Sequence, residues 1–487
     1  MKTFEKKLPF QLLLGAVLSF IGWLTIAALG DVRAQTSLFF VIYGGVFVVY
    51  FFLALQIVST NNSAPEKSRP GHKTQVFLLI FIPAILCRFV LLWDYPYLSD
   101  DIFRYMWDGR VWANGVNPYM FAPNDAALAA IRDAVIFPNV NHAEIPTIYA
   151  PVLQVIFRIT YEISPTMTAF KIVMTVFDLA IIIALIQLLK ALNLPPLLAF
   201  IYAWNPLVII ETAGGGHIDS VGVFFLVLFF IALTKQRFWQ SLIFLALATL
   251  TKFVALIMLP FIWLRLGWKK ATIYTLILGA LLFLAYLPFL DAGETLYKAL
   301  TEYTTRWKFN ASLFELPFHF FSWLYPHAYE DQVLYKTKVF LGCGFGALFL
   351  WLLFDADKSK ESWSKYWFVL FATICAVSPT LHPWYLIWLT PFLAIFPNRA
   401  WILLTGLVIL SYRVIEDYFL EGVWQESLLV RLLIFAPFYG LLFYDFWKTK
   451  GRDLKVETMR EATVDFPKRA WGEVEKFFSS YKRTSSD

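Results

Sequence analysis

Apolar runs of about 20 residues recur along most of this chain, and no other feature restricts its fold as strongly. A run of that length crosses about 30 Å of hydrocarbon as a helix, and in lipid only helices and closed barrels satisfy every backbone N–H and C=O. The runs lie near 9–29, 37–58, 75–93, 169–189, 197–213, 218–233, 238–264, 271–290, 333–354, 367–377, 384–396, 400–412 and 428–447. They predict an all-α polytopic membrane protein with about 13 to 14 transmembrane helices, according to whether 238–264 crosses once or twice.

Composition agrees. The 487 residues are 59% hydrophobic and 16% charged, with a mean hydropathy of +0.62, against about 25% charged in a soluble domain. The net charge of +6 does not point to nucleic acid, because Lys and Arg fall in short clusters between the runs rather than on one face. Cys87, Cys343 and Cys375 all lie in apolar segments without CxxC spacing, which supports neither a disulfide framework nor a zinc site. Lys2, Lys6 and Lys7 precede a first run too long for a signal-peptide core, so it reads as an anchor.

The basic clusters set the expected topology. Lys67, Arg69 and Lys73 place the second connection in the cytoplasm, so the third helix delivers 95–147 to the outside. Residues 238–264 read as one long helix or as two short ones broken near Thr251 and Lys252. A single crossing would put Arg265, Lys269 and Lys270 outside and invert everything after them, so two are expected. The organisation is then a membrane unit over 1–447 with external loops at about 94–167 and 291–332, and a basic cytoplasmic tail over 448–487. Both termini are cytoplasmic. Stretches 148–163 and 313–325 are short and broken by Pro151 or Pro317, which suits the outer interface. In the tail, Trp471, Val474, Phe477, Phe478 and Tyr481 recur at helical spacing, as in an amphipathic surface helix, although a frayed charged tail fits equally.

Chemistry concentrates in the first loop, which opens Ser99-Asp100-Asp101-Ile102-Phe103-Arg104-Tyr105-Met106-Trp107-Asp108-Gly109-Arg110. On a helix Asp101, Arg104 and Asp108 share a face, and Asp100 also meets Arg104. A solvated ion-pair network is the structural alternative, but acids, bases and aromatics crowding the water end of a membrane helix point to function. Lys252 lies mid-membrane at the break, where an unpaired ammonium costs a few kcal/mol, so it needs an anion, a carboxylate partner or the interface. His217 and Asp219 follow three glycines. Asp219 suits a helix N-terminus without any function, whereas the glycines argue for close approach by backbone or ligand. His382 precedes Pro383 at an external turn. Most of the 49 Phe, 23 Tyr and 19 Trp belong to interfacial belts and helix packing, but Trp107, Tyr119, Trp307 and Trp384 stand beside the polar candidates. No ligand spacing is as specific as HExxH, so a divalent metal is conceivable but unsupported, and no cofactor is expected.

From Ser99-Asp100-Asp101 to Asn117-Pro118-Tyr119 the first loop resembles that of bacterial GT-C glycosyltransferases, especially polyprenol-phosphate-mannose-dependent mannosyltransferases of the family 87 type. Tyr149-Ala150-Pro151 with Gln154, Gly215-Gly216-His217-Ile218-Asp219, Thr251-Lys252, Trp307-Lys308-Phe309-Asn310 and His382-Pro383-Trp384-Tyr385 follow in the same order, extending the likeness over 93–396. Ile218 departs from it, standing where relatives often carry a polar residue. The resemblance implies a GT-C-like helical bundle, catalytic acids in the first external loop, and inverting transfer of a hexose, in particular mannose. It implies a polyprenyl-phosphate sugar as donor and a glycan or lipid as acceptor, on the extracytoplasmic face of the cell membrane.

Such a transfer needs a carboxylate to take the proton of the acceptor hydroxyl, a task for Asp101 or Asp100. A lipid phosphate departs already ionised and asks for positive charge rather than a proton. Lys252 is the first candidate, with Arg306 and Lys308 as alternatives. Arg104, Tyr105, Asp108, Arg110, Tyr119, His217, Asp219, Trp307, His382 and Trp384 complete the candidate substrate-binding set. Two other functions compete. A transporter or flippase would gather charge at mid-membrane and show repeat symmetry, and no internal repeat is visible. A lipid-linked glycan polymerase or ligase would share the external site but use a diphosphate-linked donor.

Overall fold

The computed structural model describes residues 8–61, 70–356 and 363–450. The tail helix expected around 471–481, and Lys67 and Arg69, lie outside them. Within the described residues every regular element is helical, and the one extended pairing is an isolated bridge between Phe309 and Thr380. Six segments are long and apolar enough to cross a bilayer: Leu8–Ala28, Thr36–Ser59, Met167–Ala191, Phe253–Arg306, Glu330–Phe354 and Leu428–Lys448. A seventh is the pair Pro196–Ala203 and Pro206–Gly214 if its 56° bend is one broken span, and Phe77–Leu91, Asp219–Thr234, Phe238–Thr249 and Trp363–Val377 are shorter apolar helices. Large side chains such as Leu276, Phe283, Leu284 and Phe354 remain exposed on these helices, as lipid-facing surface does. The chain is an all-α polytopic membrane protein.

Three irregularities in the helices position the site. The Phe238–Thr249 helix ends as expected before Thr251 and Lys252. Beyond them a tight turn over Phe253–Met258 runs into Leu259–Tyr286, which is broken at Gly267 (φ 69°), so a second short helical segment follows the first as expected. The run at 197–213, expected to be one helix, breaks at Trp204 and Asn205 and closes with a π turn over Ile210–Gly214, where the Gly215 N–H reaches back five residues to the Ile210 carbonyl (2.8 Å). A fully buried ion pair braces that turn. Arg88 Nε lies 2.5 Å from Asp178 Oδ2, and the Thr212 hydroxyl donates to the same oxygen at 2.9 Å.

In the first loop, Asp101–Ala113 and Pro151–Ile163 pair as short helices. Pro151 starts its helix rather than breaking the chain, since the first turn needs no N–H from it; Pro317 sits likewise in the first turn of Glu315–Leu324. Gly109 lets the pair touch, because a Cβ there would lie 2.5 Å from the Phe157 carbonyl oxygen. Tyr105 stacks on Phe157 at 5.0 Å, and with Ile102, Met106 and Leu153 these rings form a buried core of their own against Phe170 and Met174 of the Met167–Ala191 helix. The loop is therefore a rigid platform on the bundle.

Candidate active site

Asp101 opens the platform helix, and its carboxylate points away from the residues expected beside it. Oδ1 accepts from Asn141 Nδ2 at 2.7 Å, and Oδ2 lies 3.8 Å from His217 Nδ1. Arg104 turns instead to Asp108 (3.1 Å) and to the His142 and Ile145 carbonyls, so the Asp101–Arg104 and Asp100–Arg104 contacts expected from helical spacing are replaced. The reason is that Arg104 and Asp108 face inward to the loop. Asp108 is fully buried and also accepts from Thr147 and Gln154. Burial pushes its carboxyl up, against the opposing pull of Arg104 and these hydrogen bonds. Asp100 is exposed at the helix start and caps no backbone N–H.

His217 is fully buried beneath Asp101. Gly216 adopts φ 74°, and a Cβ on it would lie 2.9 Å from Ile102, so only glycine lets the chain turn the imidazole under the loop helix here. Nε2 lies 3.2 Å from Glu211 Oε2, and the Tyr412 hydroxyl donates to Glu211 at 2.9 Å. Burial alone would push His217 down, but the adjoining Glu211 carboxylate, with the charges of Asp101 and Asp219, outweighs it and holds the imidazole above its usual range. On its other face His217 stacks on Trp384 at 3.9 Å, and Trp384 stacks in turn on His382 at 4.3 Å. Burial, helped by the positive charge of His217, Lys252 and His142, pushes His382 down to about 3, so it is neutral.

Asp219 begins its helix but does not cap it. Its Oδ1 accepts from Trp388 Nε1 at 2.6 Å and pairs with Lys252 Nζ at 2.7 Å, while Oδ2 is buried without a partner. Lys252 thus meets a carboxylate at the helix break, yet its side chain keeps 33% of its surface open and its ammonium lies 4.2 Å from the centre of the Tyr385 ring. Tyr385 shares a 2.6 Å hydroxyl contact with Tyr303, and Trp307 packs on His142 at 4.5 Å. Four sequence motifs, around Asp101, His217, Lys252 and Trp384, therefore meet at one place.

Other candidates lie apart. Arg110 binds the Ile131 carbonyl, Tyr161 and Asp133, and Tyr119 donates to the Tyr149 carbonyl, so both hold the loop. Arg306 is 76% exposed and paired with Glu302, and Lys308 pairs with Glu315 over the Phe318 ring. Tyr105 is buried in the loop core. Asn141, His142, Glu211, Trp388 and Tyr412 were not singled out from sequence. Only Glu211 gave a signal, an acid inside an apolar run. Among the described residues no group of three or more His, Cys, Asp or Glu is arranged to hold a metal ion.

No curated protein matches the chain. The family model of the alpha-(1->6)-mannopyranosyltransferase N-terminal domain matches residues 12–267, more than half of the chain, a span that includes Asp101, Glu211, His217, Asp219 and Lys252.

Proposed function

Since this chain belongs to the alpha-(1->6)-mannopyranosyltransferase family and is a membrane mannosyltransferase, we propose that it takes mannose from a polyprenyl-phosphate carrier and adds it to a glycan or lipid acceptor on the extracytoplasmic face. The observation that carries this reading is the convergence of a positioned carboxylate, Asp101, and a partly open ammonium, Lys252, around His217 and Trp384. Asp101 takes the proton as the acceptor oxygen bonds to the anomeric carbon. The bond from that carbon to phosphate breaks, and its electron pair leaves on the phosphate oxygen, whose charge Lys252 meets. Backside attack inverts the centre, so an α-linked product requires a β-linked donor. Trp384 offers a face on which a sugar ring stacks. The catalytic unit is the membrane region 1–447, and the extracytoplasmic assignment rests on the distribution of Lys and Arg.

The test uses purified chain in liposomes, labelled mannosyl-phosphoryl polyprenol and an α-1,6-linked mannooligosaccharide. A new α-1,6-mannoside is expected. Activity with a sugar nucleotide alone would overturn the donor.

A further inference from the structure

A narrow cleft lies beyond the aromatic stack, between the second loop and the segments 411–414 and 425–431. Phe309, Asn310, Ser411, Glu426 and Arg431 line it, and its volume of about 20 Å³ suits a single water-sized group. Three buried polar atoms on these residues have no partner: Asn310 Oδ1, Ser411 Oγ and Arg431 Nε. Asn310 and Ser411 are only 2% and 5% exposed, and buried polar atoms are ordinarily satisfied. Asn310 is also held in the left-handed region (φ 49°), its Nδ2 fixed on the Leu381 carbonyl at 3.2 Å and its backbone N–H on Glu426 at 2.8 Å. Asn310, Ser411 and Arg431 thus bring an amide oxygen, a hydroxyl and a guanidinium N–H, each without a partner, to the lining of one cleft.

That combination selects a neutral group that both donates and accepts. Glu426 and Asp417 at the cleft disfavour an anion, while Arg413 and Arg431 disfavour a cation. Beside it Trp424 is 53% exposed, with its ring 5.6 Å from that of Phe309, a platform for the apolar face of a sugar. Two links join the cleft to the reaction centre. Phe309 stacks on His382 at 4.8 Å, and Tyr412, between the cleft residues Ser411 and Arg413, bonds Glu211 beneath His217.

We propose that this cleft is an acceptor subsite, which receives one hydroxyl of a glycan sugar whose ring lies on Trp424. The proposal rests on the mannosyltransferase reading. The sugar held there is not the one that reacts, because the stacked rings of Phe309, His382 and Trp384 stand between the cleft and His217.

Two measurements on the full-length chain test it. Binding of α-1,6-linked mannotriose, followed by calorimetry without any donor, should weaken about five- to tenfold in Trp424→Ala and in Ser411→Ala, and recover in Trp424→Phe. Both variants are expected to fold, since Trp424 is half exposed and Ser411→Ala removes only a hydroxyl. In turnover, the acceptor KM should rise while the donor KM and the slow hydrolysis of donor by water stay unchanged. Unchanged mannotriose affinity in both variants, or competition by inorganic phosphate, would overturn the subsite and leave the transferase intact. Wild-type protein that binds mannotriose through Trp424 but uses no mannosyl donor would support the subsite and overturn the transferase reading.

Discussion

Asp100 and Asp101 are neighbours with different surroundings, and that difference predicts different roles. Asp101 is held by Asn141 and faces His217, whereas Asp100 is exposed and caps nothing. Asp101→Asn should lower transfer about 10²- to 10⁴-fold with donor affinity retained, and Asp100→Asn should leave transfer within a few-fold. Near-normal transfer in Asp101→Asn, measured on folded protein, would move the base elsewhere. His217 gives a pH prediction. Its proton affinity is raised, so the interaction with Glu211 is complete below the ordinary histidine value of about 6.5 and is lost only as pH rises through the higher folded value. The wild-type kcat/KM profile should therefore fall on the alkaline side, and His217→Gln should lack that limb. A limb that persists in the variant would assign it to another group. Lys252 was legible in the sequence because a charge at membrane depth is costly and conspicuous, and Asp101, His217 and Trp384 because acids, glycines and aromatics crowd the water ends of apolar runs. Asn141 and His142 were not, because an irregular loop has no periodicity to read.

At the scale of elements, the site depends on close helix contacts. Gly222 faces Trp388, and a Cβ there would lie 2.5 Å from the indole. That indole is fixed from behind, since Trp367 Nε1 donates to the Trp388 carbonyl and the two rings pack at 6.1 Å. Gly222→Ala should then displace Trp388 from Asp219 and disturb Lys252, costing about 1 to 3 kcal/mol of stability. A raised donor KM with unchanged acceptor KM, together with a lower Tm, would show this; an unchanged donor KM would uncouple Trp388 from the phosphate end. Helix positions were largely readable from apolar run length. The breaks were only partly so: Lys252 marked one, while the π turn over Ile210–Gly214 has the composition of an ordinary helix and is braced by Asp178, 34 residues before Thr212.

For the whole molecule, the expected sidedness can be tested with single cysteines. Among the native cysteines Cys87 and Cys375 are buried and Cys343 is exposed, so a Cys343→Ala background is needed. In intact cells an impermeant thiol reagent should modify Asn124→Cys, and should reach Gln236→Cys only after permeabilisation. The opposite pattern would invert the membrane orientation and put the platform in the cytoplasm. Spacing and composition alone do not foretell that the motifs meet, and only the family resemblance groups them in one candidate site, since their contacts join residues far apart along the chain. The Tyr412 hydroxyl, for example, reaches Glu211 across 201 positions. A ribosome releases the chain from its N-terminal end, so Asp101, Glu211, His217 and Lys252 enter the membrane well before Trp384, Trp388 and Tyr412 exist to hold them. During that interval Glu211 has His217 and Asp219 has Lys252, but neither acid has its Tyr412 or Trp388 donor. A chain interrupted before these residues lacks the rings and donors that hold the centre, whose finished geometry therefore depends on the last third of synthesis.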